Sequence, residues 1–90
     1  MYIALIARDK PGALEIRKAN RADHLAYIQE TGIVAQAGPL LDDAAQMCGS
    51  LVILDVEDMA QAEAWAAGDP YAKAGLFENV ELIAWNRVIG

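Results

Sequence analysis

One histidine and one cysteine are all that this chain of 90 residues carries of the two most versatile catalytic side chains. Cys48 has no partner for an internal disulfide, which fits a reducing compartment. His24 and Cys48 stand far apart in sequence and make no zinc-ligand spacing. The glycines are scattered, so no phosphate-cradling loop is present. No apolar run approaches membrane-spanning length, and no basic, apolar, small-residue leader opens the chain. Basic residues are also scarce: 7 against 13 acidic ones, a net charge of -6. That balance argues against nucleic acid, which needs a basic face. The expectation is a soluble cytoplasmic protein with no metal and no redox cofactor. Haem ligation by the lone histidine finds no second supporting feature.

What the chain does have is apolar side chains. Hydrophobic residues make up 56% of it, rich for one small domain spanning residues 1–90. A chain this short buries a modest core and often gains stability by self-association. Its charge is uneven. Arg8, Lys10, Arg17, Lys18 and Arg21 all fall near the start, so a local positive patch is expected on an acidic protein.

Tyr2 to Ala7 is an apolar run without helical spacing, ended by Arg8-Asp9-Lys10-Pro11-Gly12, and reads as a strand. Ala13 to Thr31 reads as a helix with Leu14, Arg17, Arg21, Leu25 and Ile28 along one side. Asn20 with Asp23 resembles a capping pair that would restart the helix. Gly32 stops it. Ile33 to Gly38 is a second strand, with Pro39 marking an edge or its end. Asp42-Asp43 is a turn, and Cys48 to Val56 a third strand. Asp58 caps a second helix with Gln61 in the reciprocal position. Met59, Ala62, Trp65 and Ala66 form its apolar stripe, and Gly68 and Pro70 end it. Tyr71 to Gly75 is a short helical turn and Val80 to Val88 a last strand.

The order β-α-β-β-α-β predicts a ferredoxin-like α+β fold, a four-stranded antiparallel sheet with both helices on one face. Such a sheet should alternate apolar and polar residues. Here Ile3, Leu5 and Ala7 oppose Tyr2, Ala4 and Ile6, and Leu51 and Ile53 oppose Val52 and Leu54. Both faces are apolar, so the helix-free face needs a cover. The simplest is the same face of a second copy, a homodimer; assembly of dimers into larger oligomers is left open.

Asp69 sits between a helical pattern and Pro70, on a turn that holds a carboxylate rigidly. Beside His24 it would make an acid/base dyad; apart from it, it is an ordinary turn cap. His24 is either a buried structural histidine or a proton shuttle. Arg21, one turn before His24, and Arg8, at the end of the first strand, are candidates to hold an anion. Ser50 is either satisfied by backbone or a hydrogen-bond donor to a substrate oxygen. Gly38 either shapes the strand edge or admits a ligand close to backbone. Tyr71, Phe77 and Trp85 read as core aromatics more readily than pocket walls.

Taken in order, Asp9-Lys10-Pro11-Gly12, Arg21-x-x-His24-Leu25 with Tyr27, Ala37-Gly38-Pro39-Leu40, Gly49-Ser50-Leu51, Trp65-Ala66-x-x-Asp69-Pro70-Tyr71 with Ala74-Gly75-Leu76-Phe77, and Trp85 resemble the YciI-like family, also called the YCII-related domain. The resemblance covers nearly the whole chain. It implies a dimeric α+β barrel and a site pairing His24 with Asp69. Related dehydrochlorinases act on hydroxylated aromatic rings, which implies proton-transfer chemistry. The expected function is a lyase- or isomerase-like proton transfer on a small phenolic or anionic substrate, with His24 and Asp69 catalytic and Arg21, Ser50, Arg8, Gly38 and Tyr71 around the substrate. The alternative is a non-catalytic metabolite-binding or accessory module using the same pocket.

Overall fold

Tyr2 to Asp9 form the first strand because β-branched and apolar residues there bury on both sides of an extended backbone. The computed structural model, which describes residues 1–90, sets this β1 (Tyr2–Asp9) in the middle of a sheet with β2 (Val34–Leu41), β3 (Met47–Asp55) and β4 (Phe77–Trp85). The strand order is β2-β3-β1-β4 and every pairing is antiparallel. Helices α1 (Leu14–Thr31), α2 (Met59–Gly68) and the single turn α3 (Pro70–Lys73) complete the βαββαβ order. No helix is long and apolar enough to cross a membrane.

The core lies between one sheet face and the helices. Ile3, Leu5 and Ala7 of β1 and Val52 and Leu54 of β3 are buried against Ala62 and Trp65 of α2. Tyr27 and Ile28 of α1 pack onto the same cluster. Hydrogen bonds tie the two helices: the Tyr27 hydroxyl donates to the Trp65 carbonyl at 2.8 Å, and Trp65 Nε1 donates to Thr31 Oγ1 at 2.9 Å. At the start of α2, Asp58 Oδ1 accepts from the Gln61 amide at 2.8 Å, while Gln61 Oε1 accepts from the Glu57 amide at 2.9 Å. The cap is reciprocal as expected, reaching one residue further back.

Four local expectations are corrected. Helix α1 runs unbroken through Asn20, whose side chain donates to the Ile16 carbonyl instead of capping a new turn. Its buried positions are Arg17 and His24, whereas Leu25 is 48% exposed. The face turned inward is thus the one bearing polar groups, because a cavity lies beneath it. Strand β2 continues through Pro39 to Leu41, which an edge strand tolerates because only one side must supply ladder donors. Strand β4 begins at Phe77 and ends at Trp85, leaving Val88 outside it and 82% exposed.

Gly68 also has a reason beyond ending α2. A Cβ there would overlap the Tyr27 hydroxyl, so the glycine admits the side chain that joins the helices. At Gly49 a Cβ would overlap the backbone oxygen of Ala7 in the neighbouring strand.

The opposite sheet face carries no helix. By register Tyr2, Ala4 and Ile6 stand beside Leu51, Ile53, Ile83 and Trp85 on that face. Ile83 is 50% exposed, Leu51 40% and Trp85 38%. Trp85 is therefore neither core nor cavity wall; it meets Tyr2 edge-on at 6.0 Å.

Candidate active site

Asp69 is the junction of two helices: it follows the last residue of α2 and caps α3, with Pro70 in the first helical position. Its Oδ1 accepts from the Tyr71 amide at 3.0 Å. The same oxygen lies 2.8 Å from His24 Nδ1. The capping and pairing roles, alternatives in the sequence, are both filled by one carboxylate. Both groups are buried, Asp69 at 1% exposure and His24 at 6%. A carboxylate accepts, so the shared proton belongs on Nδ1 and the lone pair of the neutral ring on Nε2.

Tyr71 packs flat on the imidazole, with ring centroids 3.9 Å apart and planes 16° from parallel. The Arg17 guanidinium carbon lies 4.7 Å from the centre of the same phenol ring. Burial pushes the Tyr71 phenol up; Arg17 and Arg21 oppose that and Asp69 adds to it, leaving it above its ordinary range. Burial likewise raises the Tyr27 phenol, with a smaller push from Asp69.

Arg17 was expected as part of a helical stripe and of a local positive patch, not as a site residue. It is 2% exposed and grips Asp9 with two bonds, Nε to Oδ2 at 2.7 Å and Nη2 to Oδ1 at 2.8 Å. Nη2 also donates to Ser50 Oγ at 2.9 Å. Burial pulls its ionisation down, but Asp9, with a smaller push from Tyr71, leaves it raised. The sequence signal was a pair of cations, Arg17 and Arg21, in a line with Leu14, Leu25 and Ile28; nothing in the spacing of Asp9 and Arg17 announced their ion pair.

These groups border a cavity of about 150 Å³ between α1 and the β2–β3 side of the sheet. Arg17, Arg21 and His24 of α1, Gly38 of β2, Ser50 of β3 and Tyr71 all line it. Both charged groups on its wall are guanidiniums. Asp9 and Asp69 stand behind Arg17 and His24, outside the lining. Leu25, Ile28, Met47 and Val52 supply an apolar surface. Of the anticipated residues, Asp69 reaches the cavity only through His24, and Arg8 stands elsewhere: it is exposed and, by strand parity with Ile6, lies on the helix-free face. No three His, Cys, Asp or Glu side chains converge as a metal site would require.

A protein named YciI from Escherichia coli O6:H1 is 37% identical, over 98% of this chain and 99% of that one. An uncharacterized protein of Haemophilus influenzae is 35% identical over the same shares. Among solved structures, the 5-chloro-2-hydroxyhydroquinone dehydrochlorinase of Burkholderia phenoliruptrix AC1100, determined with 2,5-dihydroxybenzoquinone, superposes with a TM-score of 0.87. It is 32% identical, with 96% of this chain and 94% of that one covered. An antibiotic biosynthesis monooxygenase superposes at 0.57 with 12% identity, covering 96% of this chain and 98% of its own. That more distant likeness is one of fold, the dimeric α+β barrel. Residues 1–86 match the YCII-related domain, and with full-length relatives above 30% identity the chain belongs to the YCII-related, or YciI-like, family.

Proposed function

We propose that this chain is a small-molecule enzyme that moves a proton on a small phenolic or anionic substrate, with His24 as the general base and acid and Asp69 as its orienting partner. The observation carrying this reading is the 2.8 Å contact between His24 Nδ1 and Asp69 Oδ1 on the wall of a cavity. Asp69 keeps the proton on Nδ1 and leaves the Nε2 lone pair free to accept one. Nε2 then takes a proton either from a substrate hydroxyl, which keeps the electron pair as an oxyanion, or from a carbon next to a carbonyl, whose electron pair forms a C=C bond as the carbonyl pair moves onto its oxygen. Returning that proton at another atom gives an isomer; losing an anionic leaving group after its removal gives a lyase reaction. The relative that eliminates chloride from a hydroxylated ring supports the second course. Arg21 is suited to hold the substrate's anionic group, and Tyr71 fixes the imidazole plane by stacking. The steps use only these side chains.

The test is a screen of small phenols and carboxylates with the wild type, His24→Ala and Asp69→Asn. Turnover by the wild type that both variants lose supports the reading. Binding without conversion by the wild type would make the protein a metabolite-binding module instead.

The working unit in this reading is a homodimer joined through the helix-free face, where Ile6, Leu51, Ile83 and Trp85 are covered by their counterparts. An exposed apolar surface of that extent is what a self-complementary interface buries. Light scattering at micromolar concentration should give twice the chain mass of 9.7 kDa, or a multiple of that. Ile83→Asp should shift the protein toward monomer with its circular dichroism retained. A wild-type monomer would contradict the dimer.

A further inference from the structure

Ser50 is 3% exposed, yet it lines the cavity. Its one side-chain hydrogen bond is the one it receives from Arg17 Nη2. A guanidinium only donates. The Ser50 oxygen is therefore an acceptor in that contact, and its hydrogen remains to be given away. The direction is enforced, because Arg17 is itself clamped on Asp9 by two bonds and cannot turn round. An oxygen that accepts from a cation becomes a stronger donor through its own hydrogen.

We infer that Ser50 donates a hydrogen bond to the anionic oxygen of the bound molecule, a phenolate or enolate, and that the Arg17–Asp9 ion pair positions and polarises it for this. The inference rests on the proposed reading's location of the ligand in this cavity. It assigns the oxygen of the substrate to the Ser50 side and the transferred proton to the His24 side. Asp9, from β1, thereby acts on the ligand through two intermediaries without touching it. The surroundings favour an anion at this position. Around Ser50, α1 contributes Arg17, Arg21 and His24, the α2–α3 junction contributes Asp69 and α3 contributes Tyr71, while Asp9 of β1 is held by Arg17. The two carboxylates among these stand outside the cavity lining, Asp9 committed to Arg17 and Asp69 to His24. A hydrogen bond to a charged oxygen contributes about 1.5–3 kcal/mol, so its loss corresponds to roughly tenfold or more in affinity.

The probe is para-nitrophenol, whose absorption reports whether the bound molecule is phenol or phenolate. The wild type should bind the phenolate more tightly than the phenol and move the probe's ionisation to lower pH. Ser50→Ala should lose about tenfold in phenolate affinity, with phenol affinity little changed. Arg17→Lys cannot serve both Asp9 and Ser50, and should show the same selective loss. The double variant should be no worse than either single one, because one coupled unit is removed. Purely structural roles would weaken both forms of the probe together. Equal phenolate affinity in Ser50→Ala and wild type would overturn the inference, as would a wild type that fails to prefer the phenolate. Additive losses would overturn the link to Arg17. Should Arg17→Lys fail to fold, Ser50→Ala decides alone. Because binding is measured rather than turnover, failure here leaves the role of His24 standing, and failure of His24 variants to lose turnover leaves this result standing.

Discussion

His24→Ala should lose about a hundredfold to ten-thousandfold in kcat while keeping its fold. The size follows from the role: a positioned acid/base group contributes that much and no neighbour can replace it, since the chain has no other imidazole. Asp69→Asn should lose most of the same factor by a different route. The amide can donate to Nδ1, which would turn the ring tautomer over and put a hydrogen on Nε2, where the lone pair is needed. The Ser50 donor and the rest of the cavity wall stay in place in both variants, while the Tyr71 stack is kept only in Asp69→Asn. Substrate affinity should therefore change less than kcat, a split that steady-state kinetics reads directly. His24→Ala keeps the Asp69 cap on the Tyr71 amide; in Asp69→Asn an amide nitrogen turned to Nδ1 replaces the oxygen that capped Tyr71, so α3 loses that cap. Undiminished kcat in His24→Ala would remove the imidazole from the mechanism.

The largest expected effect on stability belongs to Arg17. Arg17→Ala strands the Asp9 carboxylate, whose side chain is only 6% exposed beside a guanidinium that is 3% exposed. Breaking one side of a buried pair destabilises by about 3–5 kcal/mol, because the remaining charge has neither partner nor water. The Ser50 contact and the packing of the guanidinium on Tyr71 go with it. Urea denaturation measures the change. Pairing the substitution with Asp9→Leu should recover much of the loss, since two apolar side chains leave no orphaned charge. The contrast is Lys18 with Glu15, 3.9 Å apart and 55% and 87% exposed, where Lys18→Ala should leave stability unchanged within error. A loss below about 1 kcal/mol for Arg17→Ala would mean that water or another cation serves Asp9.

The parts of the fold legible in the sequence were those written in local signals. Asp58 and Gln61 announced a helix start; Pro39 announced an edge; the two apolar faces of β1 and β3 announced a sheet that needs cover on both sides. Asn20 misled because its capping pattern competes with a helix that continues on both sides, and tertiary packing of a long helix overrides a single weak cap. The shift of β4 reflects register: Phe77 is drawn into the sheet opposite Asp9, where the pairing slips by one residue after Arg8. The site divides in the same way. Asp69 was legible because Asp-Pro after a helix fixes its place. Arg17 and Asp9 were not, because helix spacing gives the face of a residue but not what that face meets. Arg8 was misjudged by strand parity, since one residue along a strand exchanges the helix side for the open side.

The central claim is that Asp69 holds the imidazole in one tautomer, and the single histidine makes this directly observable. Nitrogen-15 NMR of histidine-labelled protein at mildly alkaline pH reports one ring free of overlap. Hydrogen on Nδ1 and a bare, strongly deshielded Nε2 are expected in the wild type, with the pattern lost or reversed in Asp69→Asn. A spectrum with hydrogen on Nε2, or a mixture of tautomers that Asp69→Asn leaves unchanged, would contradict it.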